Sequence, residues 1–102
     1  MAMLPRNAML AFFCVMIRRE VLDTVGLLDR VYGVGFGDDD DYCRRAHRAN
    51  WRLVLTMQLR IPHRHRTTFK SLYSNDMIAD MQRENMAIFK SDKPNYTDRR
   101  AA

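Results

Sequence analysis

The chain is organised around the stretch Gly35-Phe36-Gly37-Asp38-Asp39-Asp40-Asp41-Tyr42-Cys43-Arg44-Arg45. Four adjacent carboxylates repel one another, so the cluster requires a helix N-terminus, nearby arginines or a bound cation to offset the repulsion. Asp40 and Asp41 each precede an arginine by four residues, with the acid on the N-terminal side, which is the better orientation for such a pair on a helix. The spacing predicts a helix that begins within the acidic run.

The periodicity of this helix assigns its faces. An apolar stripe at i, i+4 and i+7 predicts that Tyr42, Ala46 and Ala49 face inward. The arginines that follow the acids are predicted to face mostly outward, namely Arg44, Arg45 and Arg48. Asn50 is predicted to cap the helix at its C-terminal end.

The segments before the acidic run predict a strand and a helix. Residues 11–17 are apolar, without polar alternation, and include aromatic and β-branched side chains, which is typical of a central strand covered on both faces. Residues 18–25 predict a short helix, and Gly26 is predicted to close it in the left-handed cap conformation.

The segments after the second helix predict two short strands and a last helix. The strands are expected over residues 51–56 and 59–61, before Pro62. The helix is expected over residues 76–90, with Ser74 or Asn75 as its cap. The order of elements predicts an α/β fold with about three helices and too few strands for a complete sheet.

Length and composition limit the organisation of the chain. With 102 residues, of which 47% are hydrophobic, it forms one domain at most. The few predicted strands indicate a single incomplete domain over residues 1–102, cut from a longer polypeptide, with residues 91–102 as a flexible tail. Unpaired strand edges of such a partial sheet predict pairing with a second copy of the chain.

Charge, cysteine content and hydropathy indicate the kinds of binding partner and the cellular location of the chain. The net charge of +5 is typical of chains that bind nucleic acid, anionic surfaces or phosphate-bearing substrates. The two cysteines are too few for a disulfide framework, which favours a reducing, cytoplasmic location. The apolar run over residues 8–17 is too short to span a bilayer and lacks the flanks of a signal peptide.

The acidic run and a downstream basic segment carry the candidate chemistry. A carboxylate at the mouth of the glycine loop can act as a general base toward an alcohol, or two of them can bind Mg²⁺ or Mn²⁺. The alternative is that the acids are solvated side chains at the start of a helix, without a catalytic or metal-binding role. His63 and His65 are candidate metal ligands, because residues two apart would share one face if this segment formed a strand, although zinc binding with Cys14 and Cys43 fits no known spacing.

The basic segment over residues 60–70 has three alternative interpretations. Its arginines and histidines can bind a diphosphate through charge-assisted hydrogen bonds. It can instead make the chain a small basic module that binds nucleic acid, although only Phe69 and Tyr73 are placed to stack on bases. The third interpretation is a solvated basic edge.

Three segments occur in a characteristic order. Residues 18–29 contain Arg-Glu-x-x-x-x-Val-Gly-x-x-Asp. In residues 35–45, a glycine-rich loop is followed by the four acids and then by Tyr-Cys-Arg-Arg. Residues 51–55 read Trp-Arg-Leu-Val-Leu and precede His63. This combination resembles the second half of a family-two glycosyltransferase of the GT-A fold, over about residues 11–70. The resemblance implies a partial GT-A fold and transfer of a sugar from a nucleotide-diphosphate donor to a hydroxyl acceptor.

The resemblance also implies residue roles. Asp39 matches the family's general base, which deprotonates the acceptor hydroxyl in an inverting displacement. Asp38 stands where the family has a glutamate that contacts the acceptor. Asp41 and Arg45 match an acid and an arginine that brace the start of the helix. The acceptor-binding residues implied are Asp38, Phe36 and Gly37; His63 is the implied metal contact, and Arg64 and His65 are the implied diphosphate contacts.

Two departures from the family limit what the resemblance implies. Asp38 has a shorter reach than the glutamate that it replaces. The half that carries the D-x-D motif, which grips the nucleotide sugar and a divalent metal (Mg²⁺ or Mn²⁺), is missing from this chain. We therefore expect a fragment that has little activity alone, whose full-length parent binds a nucleotide-sugar donor and a glycan or lipid-linked acceptor. The parent is expected in the cytoplasm, peripheral at the inner face of the membrane.

Overall fold

The computed structural model describes residues 2–62 and 71–92. These residues contain helices α1 (Arg19–Val25), α2 (Asp38–Arg48) and α3 (Asn75–Ser91), and strands β1 (Ala2–Met3) and β2 (Val54–Leu55). A one-turn 3₁₀ helix covers Arg30–Tyr32. The predicted α/β class is therefore confirmed in its general kind, as three helices with a small sheet. Of the tail predicted over residues 91–102, Ser91 is the last residue of α3 and Asp92 follows it as the cap, and the residues from 93 onward lie outside the described part of the chain.

Helix α2 begins in the acidic run, as predicted. All four aspartates occupy its first turn, where free N–H groups and the helix dipole favour negative charge. At the other end, Asn50 has a φ of 67°. The Asn50 N–H donates to the His47 carbonyl at 3.0 Å and the Trp51 N–H donates to the Ala46 carbonyl at 2.9 Å. This pair of bonds is a Schellman motif, so the prediction that Asn50 closes the helix is confirmed.

The other two helices also lie close to their predicted positions. The Gly26 N–H closes α1 by donating to the Leu22 carbonyl at 2.9 Å. Its φ of 93° and ψ of −163° lie outside the left-handed helical region, so the predicted cap conformation is wrong. Ser74 caps α3, because its side chain accepts a hydrogen bond from the Met77 N–H at 3.2 Å.

The strand predictions are mostly wrong. Strand β2 covers only part of the predicted 51–56, and neither residues 11–17 nor 59–61 form a strand. β2 pairs antiparallel with β1, and β1 lies in a segment where no strand was predicted. A strand requires a neighbouring strand for its N–H and C=O groups. The described part of the chain provides no such neighbour for residues 11–17, and Phe12 instead donates its N–H to a side chain of α2.

The core is small and centred on α2. Its buried apolar side chains are Tyr32, Tyr42, Cys43, Ala46 and Ile78. Many large apolar side chains remain exposed, including Met16, which is 97% exposed. The inward positions of Tyr42 and Ala46 are confirmed, whereas Ala49 is exposed.

Arg45 is the main departure from the predicted faces of α2. It is buried, with only 8% of its surface exposed, although the periodicity predicted an outward position. Its Nε donates to Asp41 at 2.9 Å, and its two terminal nitrogens donate to the carbonyls of Val25 at 3.2 Å and Leu27 at 2.8 Å. These bonds satisfy the guanidinium where a buried charge would otherwise be costly, and they fasten α2 to the end of α1.

The C-terminal half of α2 contacts the end of α3 through two further arginines. Arg44 donates to the Phe89 carbonyl at 2.9 Å, and its guanidinium lies 3.9 Å from the centre of the Phe89 ring. Arg48 donates two hydrogen bonds to Asp92, at 3.0 and 2.7 Å. The hydrogen bonds from Arg48 hold the pKa of Asp92 below its usual value. Arg44 makes its ion pairs with Asp41 and Asp92 rather than with the predicted partner, Asp40.

Candidate functional site

A cleft of about 680 Å³ lies where three parts of the fold meet. Residues 9–11 form one wall, the end of the glycine loop and the first turn of α2 form a second, and α3 forms the third. The lining residues are Met9, Leu10, Ala11, Phe36, Gly37, Asp39, Asp40, Gln82, Arg83 and Met86. Its size falls in the range of about 300–1,000 Å³ that is usual for small-molecule sites.

Asp39 places its carboxylate at this cleft from the first turn of α2. The side chain is half-buried. Its Oδ1 accepts the Asp40 N–H at 2.8 Å, and its Oδ2 accepts the Phe12 N–H at 3.2 Å. A carboxylate has about four acceptor positions, so these two bonds orient the group and leave acceptor capacity for a ligand hydroxyl.

Burial and repulsion from Asp39 raise the pKa of two neighbouring acids. Burial, followed by repulsion from Asp39, raises the pKa of Asp38. Burial raises the pKa of Asp40 too, with repulsion from Asp39 and Asp38 adding to it and the charge of Arg44 opposing it. Asp38 and Asp40 therefore take up protons more readily than ordinary aspartates, whereas the buried Asp41 is paired with Arg45.

The glycine loop is held against α3 by one amide. Asn85 is 9% exposed, and its Nδ2 donates to the Tyr32 carbonyl at 2.9 Å and also to the Gly35 carbonyl. The loop turns into α2 at Phe36, with a φ of 65°, and at Gly37, with a φ of 94°. Asn85 thereby fixes the loop that carries Phe36 and Gly37 to the cleft.

Gly37 also has no room for a side chain. A Cβ built there would lie 3.1 and 3.2 Å from two ring carbons of Tyr32, whereas one built at Gly33 would meet no atom within 4 Å. Both glycines have positive φ, so an alanine is strained at either position. We expect Gly37→Ala to lower the free energy of unfolding by about 1–3 kcal/mol more than Gly33→Ala, because only the former crowds a buried ring.

Urea unfolding of the two variants measures this difference. Equal losses would mean that the contact between residue 37 and Tyr32 does not limit the loop. A shift of Tyr32 ring signals in Gly37→Ala alone would place the crowding at the expected contact.

The structure brings some of the predicted site residues together. Phe36, Gly37 and Asp39 line the same cleft. Asp38 is the first residue of α2 but does not line the cleft, and its contact with the acceptor stays a prediction. The predicted metal contact, His63, and the predicted diphosphate contacts, Arg64 and His65, lie outside the described residues.

The acidic run does not form a recognisable metal site by itself. Among residues 2–62 and 71–92, no group of three or more His, Cys, Asp or Glu side chains is arranged to hold a metal ion. The Asp39 oxygens accept two N–H bonds, and Asp41 faces Arg45. The metal implied for the full-length parent therefore does not fit a ligand set made from these residues alone.

Several cleft residues were not anticipated from the sequence. Gln82, Arg83 and Met86 reach the cleft from α3, which follows the acidic run by more than thirty residues, and nothing local in the sequence indicates this approach. Asn85 did carry a signal. It lies four residues after Met81 and three before Ile88, on the same face of the predicted helix, where a buried amide needs a hydrogen-bond partner.

Comparison with protein families, with curated proteins and with solved structures finds no match to this chain. Among the residues that the structure describes, no helix is long and apolar enough to cross a bilayer.

Proposed function

We propose that the chain forms the acceptor side of an inverting glycosyltransferase of GT-A fold, with Asp39 as the general base. The observation that carries the proposal is the position of Asp39. Its carboxylate lies in the first turn of α2 and accepts hydrogen bonds from the backbone N–H groups of Asp40 and Phe12, at a cleft that Phe36 and Gly37 also line. These are residues for which the sequence resemblance implies acceptor chemistry.

The composition of the cleft suits a sugar. Carboxylate oxygens and the Gln82 amide can bond hydroxyl groups, and the Phe36 ring offers an apolar surface for the C–H face of a pyranose ring. Geometry supports the role of Asp39, because its side chain lines the cleft and a base must lie within hydrogen-bond reach of the proton that it removes.

The proposed reaction is a single displacement. As the acceptor oxygen bonds to the anomeric carbon of the donor, its proton passes to the Asp39 carboxylate. The bond from that carbon to the diphosphate oxygen breaks, and the nucleoside diphosphate leaves with the electron pair. Attack from the opposite face inverts the anomeric configuration.

The parts that complete this reaction are also proposals. A nucleotide-binding half with a D-x-D motif would hold the donor and a divalent metal such as Mg²⁺ or Mn²⁺, and the acceptor would be a glycan or a lipid-linked sugar. Pairing of strand edges between copies and a position at the cytoplasmic face of the membrane belong to the same hypothesis. The rival function is that of a small, non-enzymatic basic module that binds nucleic acid or another anionic ligand, and most of the basic segment on which it depends lies outside the described residues.

The test uses the chain together with the coding sequence that precedes it in its gene. An upstream apolar strand that ends in D-x-D would support the proposal, and its absence would count against it. In that longer polypeptide, we expect Asp39→Asn to lower kcat by about 10²–10⁴-fold, the usual contribution of a general base. Release of nucleoside diphosphate from a panel of nucleotide sugars, with glycan and lipid-linked acceptors, measures the rate.

Asp76→Asn is the matched control, because Asp76 is an exposed residue in the first turn of α3 and the same charge is removed. It should leave the rate unchanged. Affinity for the donor should stay the same in both variants, since Asp39 is assigned to the acceptor side. Full turnover by Asp39→Asn would exclude Asp39 as the base.

A further inference from the structure

Residues 8–12, which we call the strap, run along one side of α2. The Phe12 N–H donates to Asp39 Oδ2 at 3.2 Å, the Leu10 N–H donates to Cys43 Sγ at 3.4 Å, and the Ala8 carbonyl lies 2.8 Å from His47 Nε2. Every second residue of the strap thus contacts every fourth residue of the helix. Strap numbers rise as helix numbers fall, so the two segments are antiparallel.

The repeat has a geometric basis. Four residues of α-helix advance about 6.0 Å, and two residues of extended chain advance about 6.6–6.8 Å. A nearly extended segment can therefore keep three successive contacts with a helix at this spacing. The burial of the strap alternates accordingly: Ala8, Leu10 and Phe12 are half-buried, whereas Met9 and Ala11 are exposed.

The strap contacts made by Cys43 and His47, nearer the C-terminal end of α2, have a defined chemistry. A carbonyl can only accept a hydrogen bond, so His47 Nε2 must carry the proton and donate it to Ala8. His47 Nδ1 is buried and has no hydrogen-bond partner among the residues that the structure describes. Cys43 is 0% exposed beneath the strap, and its Sγ lies 3.9 Å from the Leu10 carbonyl as well.

The strap joins these contacts to the cleft. Its residues 9–11 form one cleft wall, and its last N–H, that of Phe12, is one of the two that orient Asp39. The orientation of the Asp39 carboxylate therefore depends on the strap remaining on α2.

We propose that Cys43 and His47 are positioning residues, which act through the strap to orient the Asp39 carboxylate and to hold the Met9–Ala11 wall of the cleft. The catalytic value of this arrangement rests on the proposed function. The mechanical coupling does not, because it concerns one network of hydrogen bonds within this chain.

The test measures that coupling without any transfer assay. Amide hydrogen exchange at Leu10 and Phe12 is followed by NMR in the 102-residue chain and in His47→Leu, which removes the bond to Ala8. Neither of these N–H groups contacts His47, so a residue of purely local importance would leave their exchange unchanged. We expect both to exchange about three- to tenfold faster, the effect of one lost hydrogen bond on a local opening equilibrium.

His47→Gln is the conservative variant, because its amide nitrogen can replace Nε2 as donor, and it should restore slow exchange. Asp39→Ala removes the contact at the opposite end and should speed exchange at Leu10. Amides in the middle of α3 serve as an internal control for global unfolding and should not change in these variants.

Cys43 provides a second readout. In a Cys14→Ser background, which removes the exposed thiol, the slow reaction of Cys43 with a thiol reagent should accelerate by the same factor in His47→Leu. Wild-type rates at Leu10, Phe12 and Cys43 in His47→Leu would overturn the coupling. If the exchange rates show the coupling but the longer polypeptide transfers no sugar, the role of the strap is supported and the proposed function is contradicted.

Discussion

Replacing Arg45 with methionine is expected to lower the free energy of unfolding by about 3–5 kcal/mol, the usual cost of removing one partner from a buried ion pair. The loss leaves the Asp41 carboxylate buried and deprives the Val25 and Leu27 carbonyls of their donor. Since native proteins are stable by only about 5–15 kcal/mol, this loss is a large share of the total stability. Urea unfolding followed by circular dichroism measures the change.

Arg48→Met is the matched control, with the same substitution one turn further along the same helix. Its ion pair with Asp92 is exposed, and exposed pairs contribute little to stability, so the loss should be far smaller. Asp41→Leu combined with Arg45→Met should recover part of the loss, because the buried carboxylate is then removed together with its closest partner. Equal effects at positions 45 and 48 would contradict the structural role assigned to Arg45.

Replacing Asn85 with aspartate is the second large change. The side chain keeps its shape but loses both donors, and a carboxylate then faces the carbonyls of Tyr32 and Gly35. Each abandoned acceptor costs roughly 1–3 kcal/mol, and repulsion between oxygens adds to the loss. We expect a marked fall in stability and release of the glycine loop, seen as faster amide exchange over residues 33–37.

The same chemical change at Asn75 provides the comparison. Asn75 is the exposed first residue of α3, where a negative charge is favourable beside the helix N-terminus. Asn75→Asp should therefore be neutral or slightly stabilising. A loop that stays protected in Asn85→Asp would show that other contacts hold it.

The helices were predictable because their determinants are local. The acidic first turn of α2, the Asn50 cap and the Ser74 cap depend on residues within a few positions of one another. The burial of Arg45 was not predictable from periodicity, since it follows from carbonyls at Val25 and Leu27 that become available only when α1 ends beside α2.

The strands and the cleft depended on long-range geometry. Residues 11–17 have the composition of a buried strand, but composition cannot supply the neighbour that a strand requires, and Phe12 bonds to Asp39 instead. The acidic side of the cleft was predicted through Phe36, Gly37 and Asp39. The walls from residues 9–11 and from α3 were missed, because nothing in the sequence specifies which distant segments approach the first turn of α2.

The central position of α2 has a consequence for the order of folding. Its partners in the strap and in α1 precede it along the chain, and β2 pairs with β1 soon after it. We therefore expect these contacts to be able to form before α3 is synthesised. The bonds from α2 and the glycine loop to Asn85, Phe89 and Asp92 span 44–53 residues and form only after α3 is synthesised. On this order of synthesis we expect the strap to orient Asp39 before α3 adds the third wall of the cleft.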